Sequence, residues 1–513
     1  MNTHDDVDLD RFRLRRLVDQ LTELGEVEVH DEPVALADLS SIIEASPKAV
    51  LFRKAGPEQV ELVAGVMGSR RRLAFALGVG EEDSVREYQR RLASPQKHFE
   101  IPSSDAPVHQ VILTGDDIDL TKLPFYLQHD LDGGPYISSA IDFSVDPASG
   151  RHNVGCRRMM LRGRKQLTTN LTAPSDLKLT YRACVERGER LPISFAIGSH
   201  PTSYLAATER RPVDEFDLVA TLRGAPLAMV RGVSNGVPAP ADAEMIIEGY
   251  LHEYGYTELD GPYGEFWGFY GPAHIDPVFH VTAIAMRADV LHQSLLHGCR
   301  NMTRMEFTPA AALHTEATVW AALRGMRIEP AAVHAVEAVA VSQHVRVALD
   351  PAAAQGTARS VISALFALPG MKHVVVVDSD IDVRDDAEVE WALSTRFRPD
   401  HDLVTAEGFP AYYTDPTTSE RGTLSKVGFD ATAGLPGDSM ENWRPTPPRV
   451  SRERRVYSVR EALQDGPLYF REIMDALGTD DGRELVVELD DLREEGVLTR
   501  GPNWQWELTK TED

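Results

Sequence analysis

"QVILTGDDIDLTKLP", residues 110–124, sets the β-formers Val111 to Thr114 against a glycine and a run of aspartates, and closes on Pro124. It opens a region, to about residue 320, in which short β-type runs are broken by Gly, Pro and Asp at intervals too short for repeated βαβ units. That spacing predicts an antiparallel barrel or sandwich with inserted helices.

Working outward, residues 9–25, "LDRFRLRRLVDQLTELG", place apolar side chains at helical spacing and stop on Gly25. "EVEVHD", "ALADLSSIIEAS" and "KAVLFRK" follow as strand, helix and strand, so residues 1–110 form an α/β unit. The barrel region is bounded as 111–325. Beyond it, "AVHAVEAVAVSQHVRVAL", "GTARSVISALFALPG", "HVVVVD" and "DAEVEWALSTRF" alternate strand and helix, which predicts an open α/β sheet over 326–445. The proline-rich "NWRPTPPRV" is a linker into a tail, 451–513, whose helix, helix, hairpin order is that of a small winged helix.

The chain's 513 residues imply several domains, and its formal charge of -26 repels phosphate backbones and anionic lipid surfaces. The tail has 9 Lys/Arg against 16 Asp/Glu, so docking or oligomer capping suits it better than DNA binding. No apolar run reaches the roughly 18 residues of a membrane span. The start "MNTHDDVDLD" is acidic where an export signal is basic and then apolar, and three cysteines make no disulfide frame; both suit a reducing cytoplasm.

Chemistry concentrates in two places. "DGPYGEFWGFY", residues 260–270, sets Asp260 and Glu265 among glycines, a proline and aromatic rings. A carboxylate in an apolar site costs several kcal/mol unless it is paired, so the stretch needs an arginine from elsewhere, unless it is a solvated surface turn. "HNVGCRRMML", residues 152–161, offers Arg157 and Arg158 at the mouth of an apolar strand. An arginine between two carboxylates holds one ionised and leaves the other to trade a proton, although arginine at a strand mouth also serves structural ion pairs.

Together "NVGCRRM", "DGPYGEFWGFY", "VVVVDSDIDVRDDAEVEWALSTRFRP" and "SKVGFDATAG", with "DIDLTKLPF" and "DGGPYI", resemble in order the UbiD family of reversible decarboxylases, which use prenylated FMN. The likeness runs from about residue 9 to about residue 445 and leaves the tail outside it. It implies an amino-terminal α/β domain, a central flavin-reductase-like split β-barrel and a carboxy-terminal α/β domain, with the flavin between the last two. It assigns Arg158, Glu265 and Asp260 to the catalytic network, with Glu265 as proton donor and acceptor. Asp260 stands where the family commonly has glutamate, one methylene longer.

The resemblance also assigns Asn153 and Glu215 to a divalent metal site and, by equal spacing, brings Asp176 to the position of a histidine in ferulic-type members. Aspartate suits Mn²⁺ or Mg²⁺; K⁺ is a further candidate ion. Val154, Gly155, Cys156, Arg157, Arg158 and Ser175 line the cofactor site on this reading, and Lys426 faces the flavin phosphate. Cys299 falls near a pocket cysteine of some relatives. Phe266, Trp267, Phe269 and Tyr270 are candidates for an apolar wall. His292, His297, Arg300 and Arg304 either recognise a second polar group on the substrate or form a solvated loop.

The reaction that the resemblance implies is loss of CO₂ from an aromatic, heteroaromatic (for example phenazine-type) or α,β-unsaturated acid, and the cofactor must supply the electron sink that an sp² carbanion requires, because no side chain can. A flavin prenyltransferase would supply the cofactor, and self-association as a homodimer or larger homo-oligomer is expected. The alternatives are an FMN-dependent reductase on the same barrel and a noncatalytic relative acting as a regulator.

Overall fold

The computed structural model describes residues 8–338, 343–412, 415–433, 445–501 and 504–509. Gly434 and residues 442–444 of the linker, both within stretches read above, lie outside them. The chain divides into two compact units, Met1–Leu349 with Gly356–Ala431, and Asp350–Gln355 with Thr432–Asp513.

In the first unit six strands close into a barrel, in the order Met245–Leu251, Leu191–Ile197, Tyr136–Val145, His152–Leu161, Gln166–Thr169 and Val278–Met286, the last pairing back onto the first. Each neighbouring pair is antiparallel. Val111–Thr114, from the opening stretch, adds alongside Val278–Met286. Closure removes the sheet edges, and alternation along each strand sends Ile137, Met159, Leu167, Phe195, Ile247 and Phe279 into one buried core. Phe195 and Phe279 meet edge to face there, with ring centroids 4.8 Å apart.

The amino-terminal sheet comprises Val27–His30, Ala49–Ala55 and Val60–Ala64, covered by Leu14, Leu17, Val18 and Leu21 of the helix Leu14–Glu23. Its fourth strand is His292–Gln293, which follows the barrel strand Val278–Met286 in the chain and pairs parallel with Leu62 and Val63. This corrects the solvated-loop reading of 292–306 in its first half: Leu291 to Gly298 are buried because they bridge barrel and amino-terminal sheet. The 19-residue helix Phe307–Gly325 then leads to a five-stranded sheet in the order Ala332–Ala335, His344–Leu349, His373–Asp378, Thr423–Asp430 and Leu403–Pro410. Helices Thr357–Phe366 and Asp386–Thr395 belong to this carboxy-terminal α/β part.

In the second unit, helices Val459–Ala462, Phe470–Leu477 and Arg483–Glu494 and the hairpin of Leu498–Arg500 with Trp506–Leu508 bury Val459, Ile473, Leu485, Leu489 and Leu498 in a core of their own, a winged-helix-like layout. Among the described residues no helix is long and apolar enough to cross a membrane.

Truncating Phe279 to Ala, at a fully buried position of the barrel core, is expected to lower stability by about 3–5 kcal/mol. Urea unfolding followed by tryptophan fluorescence measures it, and a change near zero would place the barrel core elsewhere.

Candidate functional site

The adjacent arginines of strand His152–Leu161 point to opposite faces, as neighbours in a strand must. Arg157 turns to Asp142, its Nε 2.9 Å from Asp142 Oδ1. Arg158 turns the other way, onto the face it shares with Met160. The register sets Tyr136 and Thr168 opposite Met160 from the two flanking strands. Three adjacent strands thus present a guanidinium, a phenol and a hydroxyl side by side.

All three converge on Asp260, which is fully buried. Arg158 Nη1 and the Thr168 hydroxyl make short hydrogen bonds to its two oxygens, and the Tyr136 hydroxyl donates to Oδ1 at 3.2 Å. The other guanidinium nitrogen, Nη2, lies 3.2 Å from Glu265 Oε1. Arg158 also stacks over the Tyr263 ring at 4.5 Å. Burial opposes its charge, but Asp260 and then Glu265 outweigh that cost and raise its pKa above the ordinary arginine value. The two carboxylates differ in access: Asp260 is sealed, whereas the Glu265 side chain keeps 16% of its surface exposed.

Backbone packing holds the 260–265 loop in place. Gly133 donates its N–H to Pro262 O at 2.8 Å, and a Cβ at Gly133 would sit 2.1 Å from the Gly261 carbonyl oxygen. A Cβ at Gly298 would sit 2.7 Å from the Gly264 carbonyl. Glycine is therefore required at both close approaches. Between them, Asp132 accepts from Gly264 N at 2.9 Å and pairs with His129 Nδ1 at 3.0 Å, while His129 Nε2 reaches Gly298 O at 2.5 Å. The bulge between Ile137 and Ala140 frees Ser138 and Ser139 to donate to Leu295 O and Gln293 O, which draws His297 beside Tyr263.

At the start of the Arg158 strand lies a second constellation. Glu215 and Asp176 each open a helix, Glu215–Arg223 and Asp176–Glu186, capped by the side chains of Asp214 and Ser175; helix starts favour negative charge. Glu215 Oε2 accepts from Val154 N at 2.5 Å. Asn153 donates its amide to Asp142 Oδ2 at 2.6 Å, which turns the amide oxygen away from that carboxylate. Burial, and then the charges of Asp142 and Asp176 against the pull of the Val154 N–H, push Glu215 up to about 7. Burial likewise raises Asp142 to about 6. Asn153, Asp176 and Glu215 offer oxygen donors, with Arg151 Nη1 3.9 Å from Asp176 Oδ2, and oxygen donors of this kind suit a hard divalent cation such as Mn²⁺ or Mg²⁺.

Other residues singled out in the sequence are placed differently. Lys426 is buried in the carboxy-terminal sheet, where its ammonium donates to Phe366 O at 2.7 Å and Leu368 O at 3.0 Å, closing the end of a helix. Burial pushes the Cys156 and Cys299 thiols up to about 12, and Cys299 packs against the amino-terminal core, donating to Asn301 O. His292 is core, lowered to about 4 by burial. His297 is lowered to about 3 by burial and by Arg158, so it is neutral beside the site. Arg300 is exposed and Arg304 half-buried. Of the candidate wall, Trp267 is buried with its ring 5.9 Å from Tyr412, whereas Phe269 and Tyr270 are exposed.

Tyr136, Thr168, Asp142 and Tyr412 were not found from sequence. Asp142 had a signal, a charged residue inside the apolar run "SSAIDFSV"; the others became visible through strand register and tertiary packing.

Arg158→Met leaves a sealed Asp260 without its cation, and is expected to lower stability by about 3–5 kcal/mol. The double variant Arg158→Met/Asp260→Asn removes the stranded charge and should recover more than half of that loss in thermal and urea unfolding. No recovery would mean that Asp260 is not the partner that matters.

Known proteins match this chain along most of its length. Three family models match in order: the 3-octaprenyl-4-hydroxybenzoate carboxy-lyase N-terminal domain over residues 18–92, its Rift-related domain over 100–299 and its C-terminal domain over 310–431. An anhydromevalonate phosphate decarboxylase of Methanosarcina mazei is 31% identical over 436 residues, covering 82% of this chain and 96% of that protein. The UbiD-class enzyme HmfF from Pelotomaculum thermopropionicum, solved in complex with FMN, superposes with a TM-score of 0.78 at 30% identity, over 85% of this chain and 97% of that one. An evolved dimeric form of HmfF, solved with prFMN, gives 0.75 at 29% identity, over the same shares. Domain order, barrel and the extent of the match agree: this chain belongs to the UbiD family of carboxy-lyases and is a decarboxylase of that class.

Proposed function

We propose that this decarboxylase acts on an aromatic, heteroaromatic or α,β-unsaturated carboxylic acid with prenylated FMN, and that Glu265 is its proton donor. The observation that carries the reading is the unequal sharing of Arg158 between a sealed Asp260 and a reachable Glu265. Asp260, fixed by Arg158, Tyr136 and Thr168, serves as the permanent counter-charge. Glu265, held by one hydrogen bond to the guanidinium, can move a proton and regain its place. Arg158 orients the substrate carboxylate, and Glu265 delivers the proton to the carbon that CO₂ leaves.

Prenylated FMN, when bound, supplies the electron sink that cleavage at an sp² carbon requires. On this reading Asn153, Asp176 and Glu215 hold Mn²⁺ or Mg²⁺ as counter-charge to the cofactor phosphate, and Val154, Gly155, Cys156, Arg157 and Ser175 line its site. Lys426 has given two of its three N–H groups to helix-end carbonyls, and the third is the one it would offer a phosphate. The relatives solved with FMN and prFMN support the choice of cofactor. A flavin prenyltransferase is the supplier and a homodimer the assembly in this proposal. A reductase using plain FMN would have no use for a proton donor clamped by a buried arginine.

Glu265→Gln keeps the size and the Arg158 contact but cannot cycle a proton. Turnover of acids from a panel of cinnamic, benzoic, furoic and phenazine carboxylates, and solvent-deuterium exchange into the matching products, are expected to fall by at least ~10² while flavin content is unchanged. Full activity in that variant would remove Glu265 from the role.

A further inference from the structure

The tail carries two exposed surfaces of opposite charge. Helix Arg483–Glu494 turns Leu485, Leu489 and Leu492 into the tail's own core. On its other side Glu484, Val487, Asp491 and Glu494 follow one another at three, four and three residues, so they form one stripe along the helix, and all four are exposed. Val487 keeps 64% of its surface accessible and its neighbour Val486 56%, an apolar pair with no cover inside the tail. Two arginines against five carboxylates leave this helix at a net charge of -3.

Residues 449–455, "RVSRERR", have the opposite balance, with four arginines against one glutamate, a net of +3. Their backbone is fixed along the end of helix Phe470–Leu477: Ser451 N donates to Asp475 Oδ1 at 2.6 Å, and Arg455 N and Val456 N donate to Ala476 O at 2.8 and 3.0 Å. Arg449, Arg454 and Arg455 stand exposed, and so does Tyr457, 81% accessible, whose ring lies 5.7 Å from the Arg454 guanidinium. Within one chain the two surfaces do not satisfy each other. The neighbouring ion pairs are Arg452 with Asp480, Arg460 with Glu495 and Arg493 with Asp490. Among the described residues, Arg449, Arg454 and Arg455 form no ion pair, and neither do Glu484, Asp491 and Glu494.

We propose that the tail is a self-association module, in which the arginine arm 449–455 of one chain, with Tyr457, lies on the helix Arg483–Glu494 of a second copy. Three guanidinium groups without ion-pair partners then meet three carboxylates in the same condition, and the Tyr457 ring covers Val486 and Val487. Repeated about a two-fold axis, the contact places each arm on the other chain's helix, which closes the pair and leaves no open end. An arm already held on its own helix gives up little freedom when it binds. The tail is acidic overall, with 9 Lys/Arg against 16 Asp/Glu over 451–513. At physiological salt that general repulsion fades beyond about 8 Å, whereas charges in contact keep their attraction.

The test uses full chains at physiological salt. One batch carries Tyr457→Cys and another Val487→Cys; they are mixed under reducing conditions, left to exchange, then oxidised, and the linked products are assigned by intact mass. The unsubstituted chain gives the background from the native cysteines. The link that joins one chain of each kind is expected to form at least ~10-fold faster than either link between chains of the same kind. Arg449→Glu/Arg454→Glu/Arg455→Glu in the first chain, or Glu484→Arg/Asp491→Arg/Glu494→Arg in the second, is expected to abolish that preference. Mixing the two reversed chains should restore it, which also shows that the reversed tails are folded. A mixed link no faster than the same-kind links overturns the proposal, as does a preference that survives either reversal or a reversed pair that stays unlinked. Contact between copies through the barrel domains alone would raise all three links together and so counts against the proposal.

Discussion

A guanidinium taken out of water must find its charge and hydrogen bonds inside the protein, and Arg158 finds both in two carboxylates from one loop. Much of the first unit can be read as the means of keeping that arrangement. Barrel closure fixes the register that sets Tyr136, Arg158 and Thr168 side by side. The 260–265 loop is carried over that face by close backbone contacts at Gly133 and Gly298. The short strand His292–Gln293 fastens the segment bearing His297 and Gly298 to the amino-terminal sheet, so the barrel site depends on a domain that contributes none of its carboxylates.

The same strand divides its work between two faces. Arg157 and Asn153 meet Asp142 on one side, and Arg158, the next residue after Arg157, meets Asp260 on the other. In the carboxylate group beside Asn153, burial raises Asp142, and burial with the charges of Asp142 and Asp176 raises Glu215, which is the electrostatic condition under which a divalent cation binds in exchange for a proton. At Asp260 the counter-charge is built in. A site with one carboxyl locked and another reachable thus sits a few residues along the same strand from a group of oxygen donors.

Sequence order made the domain succession legible because period-two and helical patterns survive in each segment, from the helix Leu14–Glu23 to the strand His373–Asp378. Asp260 and Glu265 were legible as a pair needing a cation, since charge among rings and glycines is costly without one. The partners Tyr136 and Thr168 were not, because a tyrosine and a threonine in strands look like ordinary β-formers until register sets them beside Arg158. The burial of His292 to Gly298, in a stretch that sequence left open between substrate recognition and a solvated loop, was not legible for a related reason: two residues of strand added to a distant sheet leave no periodic trace. Lys426 stands at the expected motif, yet its ammonium is taken up by helix-end carbonyls that no local pattern announces.

In the function proposed above, the barrel serves a modified flavin beside Arg158 and Glu265, with a divalent ion at Asn153, Asp176 and Glu215. The most direct measurement is the intact mass and absorbance spectrum of the cofactor in protein co-produced with a flavin prenyltransferase, with bound metal quantified on the same sample. Prenylated FMN with near-stoichiometric Mn²⁺ is the predicted result. Plain FMN, or no flavin, in well-folded protein would contradict it.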